Sequence, residues 1–127
     1  MKMKEPHVVP LSAAAVKILR ELRKRHIALH GEVAPEHLMF SLTKGKPISY
    51  MTMLKVLRDM KVENATVHGF RSTFTDWVAE CTNVPKEVAD KALAHQIANA
   101  VEAAYRRTDF FDRRRVLMSE WADFLVQ

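Results

Sequence analysis

The sequence predicts a mainly α fold with a small β element at its N-terminus. Three observations predict it. Apolar residues make up 48% of the 127 positions and only three are glycine, which suits a packed core and argues against disorder. Most apolar residues recur three and four apart, the period of one helix face. One early stretch, His7-Val-Val-Pro-Leu, reads instead as a short strand closed by its proline. At this length a single domain is expected, residues 1–127.

The elements follow in order. After the strand at 7–11, a helix runs from 12 to about 30, capped by Ser12. Val16, Leu19, Leu22 and Ile27 form its buried side, and Lys17, Arg20, Arg23, Lys24 and Arg25 load the rest. Those cations are either a solvated face or a set of phosphate contacts without sequence preference. Residues 31–35 form a loop, 38–42 a short apolar segment, and 43–47 a turn carrying Lys44 and Lys46. Ser49 caps a helix to about residue 60, with Tyr50, Met53, Leu54 and Leu57 apolar. Tyr50 lies in that core-like stripe and is read as structural.

Thr66 is the expected cap of the next helix, whose core stripe is Phe70, Phe74, Trp77, Val78 and Cys81. At about 100° per residue, His68 and Arg71 lie together on a face apart from that stripe. They stand in the first turns, where free N–H groups favour an anion. After a break at Asn83-Val84-Pro85, Pro85 opens a further helix. Val88, Ala89, Ala92 and Leu93 are its apolar face, and His95 comes where that face ends. Ala98, Val101 and Ala104 make a short stripe with Tyr105 beside it. A last helix spans 110–127. Arg113, Arg114 and Arg115 precede its stripe of Leu117, Trp121, Phe124 and Leu125, which packs either on its own domain or on a neighbouring protomer.

Bulk properties narrow the function. The net charge of +5 favours polyanions such as nucleic acid. The single cysteine, Cys81, excludes an internal disulfide and fits a reducing compartment. No apolar run is long enough to span a bilayer, and Met1-Lys-Met-Lys-Glu-Pro is no signal sequence, so a cytoplasmic location is expected. His68, His95 and Cys81 lack zinc-ligand spacing, and the acidic residues do not cluster as a two-metal site. No metal or other cofactor is expected.

Cleaving a phosphodiester without a metal needs a nucleophile, cations on the non-bridging oxygens and an acid for the leaving oxygen. Tyr105 can attack, given help with a phenol whose ordinary pKa is about 10. Arg71 offers a planar, always-charged fork to a phosphate. His68 and His95 can donate to it or move protons near neutral pH.

His-Gly-Phe-Arg at 68–71, Leu-Ala-His at 93–95 and Ala-Tyr-Arg-Arg-Thr-Asp at 104–109 stand in one order and spacing. Together they resemble the catalytic domain of the tyrosine site-specific recombinases, most closely the phage and prophage integrases. The resemblance implies that Tyr105 forms a 3′-phosphotyrosyl link to DNA, with Arg71 and His95 stabilising the transition state and His68 assisting proton transfer. Lys2 fits the position of the family's general-acid lysine best, with Lys4 the second choice. The phosphotyrosyl bond lets a second strand reseal without ATP. Double-stranded attachment sites are the implied substrate, contacted by Arg106, Arg107, Lys44 and Lys46. The implied assembly is a tetramer on DNA that exchanges C-terminal segments. Ala94 departs from the glycine common in the wider family. The family's other arginine and its DNA-binding domains have no counterpart in this sequence. A truncated catalytic domain is therefore expected, its C-terminal portion, weak on DNA and recombining little by itself. Missing upstream helices would leave apolar surface that dimerisation or helix exchange could cover. The competing reading is a basic helical DNA-binding module without chemistry; a third is a purely structural or partner-binding helical domain.

Overall fold

A computed structural model describes residues 6–41, 45–95 and 108–126. The described residues hold five helices and no strand: α1 (Ala13–His30), α2 (Thr52–Asp59), α3 (Gly69–Cys81), α4 (Lys86–Ala92) and α5 (Phe111–Leu125). The chain divides into two compact units, Ala14–Phe70 and Met1–Ala13 with Arg71–Gln127. Among the described residues, no helix is long and apolar enough to cross a membrane.

In the 14–70 unit, helix α1 matches its expected span and stops at Gly31, whose φ of +82° suits glycine. Its apolar side is only partly covered. Val16, Leu19 and Leu22 are half-buried, Ile27 is exposed, and no residue of α1 is fully buried. The His26 and His37 rings meet edge to face and share a short hydrogen bond, tying α1 to the irregular segment after it. A turn at 45–46 is closed by the Ser41 hydroxyl, which donates to the Lys46 carbonyl at 2.7 Å.

Helix α2 begins later than its sequence pattern suggests. Ser49 accepts from the Met51 N–H at 3.2 Å through Oγ, and its carbonyl accepts from Thr52 at 2.9 Å. Those bonds build a turn rather than a cap, and Met51 takes the cap position without a side-chain bond. Tyr50 therefore falls in the turn, where it is 88% exposed and not part of a core. A helical stripe positions only residues that the helix contains, which is why the expected placement of Tyr50 fails.

The 71–126 unit holds the core. Phe74, Trp77 and Val78 of α3, Val88 and Ala89 of α4, and Leu117 of α5 are buried together. Val84, Leu93, Met118 and Trp121 pack around them. The Trp121 ring stands 5.0 Å from Trp77 and 5.4 Å, edge on, from Phe74; Phe124 lies 5.8 Å from Trp77. Such offset and edge contacts are favoured by the ring quadrupoles. The stripe of α5 thus packs on its own unit. The stripe of α3 is buried only over its middle turns, where α4 and α5 cover it. Phe70 at one end is 54% exposed, and Cys81 at the other is exposed rather than in the core.

The strand expected at 7–11 does not form among the described residues. The segment is irregular, though Pro10 is buried. Its backbone finds a partner in a side chain: Arg114 donates through Nη2 to the Val8 carbonyl at 2.6 Å. Arg114 is only 1% exposed, and its Nη1 reaches the Asp109 carbonyl at 3.4 Å while Nε has no partner. Burial pushes the guanidinium below its ordinary pKa, with Asp109 opposing. The neighbouring Arg113 and Arg115 are exposed. Helix α5 starts at a sharp bend, with Phe110 left-handed at φ +55°. The bend is held by Thr108 Oγ1 accepting from Phe110 N and Asp109 Oδ1 accepting from Phe111 N.

Candidate active site

The His-Gly-Phe-Arg motif opens α3. Thr66 Oγ1 accepts from the Gly69 N–H at 2.9 Å, the capping bond its position suggests. Gly69 is required by that cap, since a Cβ there would lie 2.8 Å from the same oxygen. His68 sits in the turn just before α3 and is exposed; it belongs to the 14–70 unit. Lys46, also exposed, lies in that unit too.

Arg71 belongs to the other unit and is half-buried. Its Nη2 donates to the Leu93 carbonyl at 2.8 Å. Its own carbonyl accepts from the Thr75 hydroxyl at 3.1 Å. The Leu93 carbonyl lies two residues before His95, so Arg71 ties the first turns of α3 to the end of α4.

Local chemistry makes α4 end there. Pro85, extended at ψ 144°, caps its start, and Val88 N donates back to the Pro85 carbonyl at 3.0 Å. At its C-terminus, Ala94 N donates to the Lys91 carbonyl at 3.1 Å and His95 N to the Asp90 carbonyl at 2.9 Å. Those two bonds, with Ala94 left-handed at φ +55°, make a Schellman end. The geometry explains why glycine suits position 94. It also projects His95 just past the helix terminus.

His95 makes a second contact with Asp90, from ring Nδ1 to Oδ1 at 3.1 Å. The other carboxylate oxygen receives Lys86 Nζ at 2.7 Å. Burial pushes the Asp90 carboxyl up, but the bonds and charges of Lys86 and His95 outweigh it, so its pKa lies below the ordinary value.

Of the residues the sequence points to, Arg71 and His95 therefore share one unit through the Leu93 carbonyl. Tyr105, Arg106, Arg107, Lys2 and Lys44 lie outside the described residues. Two further residues escaped the sequence reading. Asp90 holds His95, and its spacing from Lys86 (i, i+4) was the available signal. Arg114 stands three residues before Leu117 and seven before Trp121, on the core stripe of α5, which could have marked it as buried.

Comparison with known proteins identifies the group this arrangement comes from. The model of the phage integrase family matches residues 1–111. The chain belongs to that family. Its relatives within the family include the integrase of Enterobacteria phage P4, 34% identical across 98% of this chain. The prophage integrases IntA and IntZ of Escherichia coli K12 are each 32% identical, over 98% and 97% of the chain. The chain spans 28% of the length of the phage P4 integrase and 29% of each prophage integrase. No solved structure matches the chain.

Proposed function

We propose that residues 1–127 are the C-terminal portion of an integrase catalytic domain and carry its phosphate-handling and nucleophilic groups. The reaction is site-specific recombination of double-stranded DNA. The Tyr105 oxygen attacks the scissile phosphorus, a P–O bond to tyrosine forms and the P–O5′ bond breaks. Tyr105 loses its proton with assistance from His68, and the leaving 5′-oxygen gains one from Lys2. Attack by the 5′-hydroxyl of another strand reverses these steps and frees Tyr105, so no ATP is consumed. Arg71 and His95 meet the charge that develops on the non-bridging oxygens. Arg106, Arg107, Lys44 and Lys46 contact the backbone, and the working assembly is a tetramer on DNA.

The observation that supports this reading best is the Arg71 to Leu93 hydrogen bond. It joins Arg71, the last residue of one motif, to Leu93, the first of the other, within one packed unit. A phosphate approaching the remaining guanidinium N–H groups would stand near the residue that follows the Leu93–Ala94 turn, which is His95. The family's other active-site arginine is not among these residues, so on their own they recombine little or not at all.

The test is a nicked duplex carrying a candidate attachment site, with and without the upstream half of a phage integrase supplied. A protein–DNA band on a denaturing gel that needs the upstream half and vanishes in Tyr105→Phe is expected. Salt-dependent DNA binding with no covalent band under either condition would favour the non-catalytic DNA-binding module.

A further inference from the structure

The geometry points to Asp90 as the positioning residue of His95: it holds Nδ1, so that Nε2 is the ring nitrogen left for the phosphate. The inference rests on the reading of His95 as a phosphate-binding group. Four observations carry it. Asp90 grips His95 twice, by its carbonyl on the backbone N–H at 2.9 Å and by Oδ1 on Nδ1 at 3.1 Å. The two grips sit on consecutive parts of one helix end, so the ring cannot turn without breaking one of them. Asp90 is itself fixed, because Lys86 occupies Oδ2 at 2.7 Å and the adjacent Val88 and Ala89 are buried in the core. Its side chain is 25% exposed against 45% for His95, so the carboxylate is the better shielded of the two.

The chemistry of the pair sets the tautomer. An ionised carboxylate only accepts, so Nδ1 must carry the hydrogen. The neutral ring then presents a bare Nε2, and the protonated ring presents an Nε2–H donor. A histidine without such a partner can exchange the roles of its two nitrogens, whereas with Nδ1 held by Asp90 donation to a phosphate oxygen comes from the protonated ring, through Nε2–H. Asp90 removes that choice. The contacts also keep Asp90 ionised near neutral pH, since the Lys86 and His95 contacts outweigh the effect of burial. A carboxylate behind a functional histidine, fixing tautomer and ring orientation, is an arrangement with known consequences for reactivity.

The experiment is a long-range proton–nitrogen correlation spectrum of the ¹⁵N-labelled chain near pH 8, without DNA. His95 is assigned through the His95→Gln variant among the six histidines. The expected spectrum shows His95 protonated on Nδ1, and Asp90→Ala loses that preference while Asp90→Glu restores part of it. A protein merely stabilised by the Lys86–Asp90 pair would show no change of tautomer. An Nε2–H ring in the unaltered protein overturns the proposal, and that reading alone decides if Asp90→Ala fails to fold. So does an unchanged tautomer in a folded Asp90→Ala. The functional reading fails separately. An Nδ1–H ring with no Tyr105-dependent covalent product leaves the Asp90 contact standing and removes the recombinase reading. Covalent product from a protein with an Nε2–H ring does the reverse. In the complete enzyme, Asp90→Ala is expected to lower covalent product by roughly tenfold, the lower end of what outer partners of metal-binding histidines contribute.

Discussion

The two units of this chain use similar amounts of helix to different ends. In the 71–126 unit, three helices close over a shared core, and the ends of those helices are pinned by specific hydrogen bonds. In the 14–70 unit, no described residue is fully buried, and Phe40, Met53 and Met60 stand largely exposed. The difference teaches where precision is kept. Arg71 and His95 occur on the unit whose core fixes them, and His68, exposed in the turn before α3, on the other. The basic residues of α1, Arg20, Arg23, Lys24 and Arg25, are exposed on the unit without a fully buried described residue.

The sharpest way to break this contrast is a pair of truncations. Leu117→Ala, at a fully buried site, is expected to cost about 3 kcal/mol. Leu19→Ala, at a half-buried site, is expected to cost about 1 kcal/mol, since only part of the side chain leaves an apolar contact. Urea unfolding of the two variants measures both, and equal costs would dissolve the distinction between the units. Next in size is Arg114→Ala. It leaves the Val8 and Asp109 carbonyls without their partner and is expected to cost about 2 kcal/mol. A cost near zero would show that the anchor of the N-terminal segment is dispensable.

Smaller effects sharpen the picture of the pinned helix ends. Ala94→Gly is expected to stabilise by roughly 1 kcal/mol, because the left-handed backbone at φ +55° is strained for alanine and free for glycine. A loss in thermal midpoint would mean that the Schellman end is not formed. The smallest is acid sensitivity. The folded-state pKa of Asp90 lies below its ordinary value. Its contribution is therefore fully present above the unfolded pKa, about 4, and is lost as pH falls through the folded value. Asp90→Asn should flatten that part of the stability–pH curve by about 0.5 kcal/mol, the scale of a partly exposed helix ion pair.

Much of the packed unit was legible in the sequence. The period of Phe74, Trp77 and Val78 gave one core face, Val88 and Ala89 the second, and Leu117 with Trp121 the third. Thr66 and Pro85 marked two helix starts because capping chemistry is local. What was not legible depended on partners distant in sequence. Arg114 looked like one cation in a run of three; its place on the α5 stripe could have marked it as buried, but its partner, the Val8 carbonyl 106 residues away, could not be read there. The stretch at 7–11 read as a strand, but a strand exists only with a neighbour to pair with. Tyr50 and Cys81 were misplaced for a simpler reason: periodicity does not say where a helix begins or where its cover ends. For the candidate site, the residue types and spacing named Arg71 and His95. The i, i+4 spacing of Lys86 and Asp90 hinted at a pinned carboxylate, but its bond to the His95 ring and the bond from Arg71 to the Leu93 carbonyl were visible only in three dimensions.

The most direct measurement is the identity of the residue that carries DNA. The chain, supplied with the upstream half of a phage integrase, is trapped on a nicked duplex, digested with trypsin and analysed by mass spectrometry. A nucleotide adduct on the peptide containing Tyr105, with a free 5′-hydroxyl on the released strand, is the predicted result. An adduct on another residue, or none while the DNA is bound and the protein folded, would contradict the account.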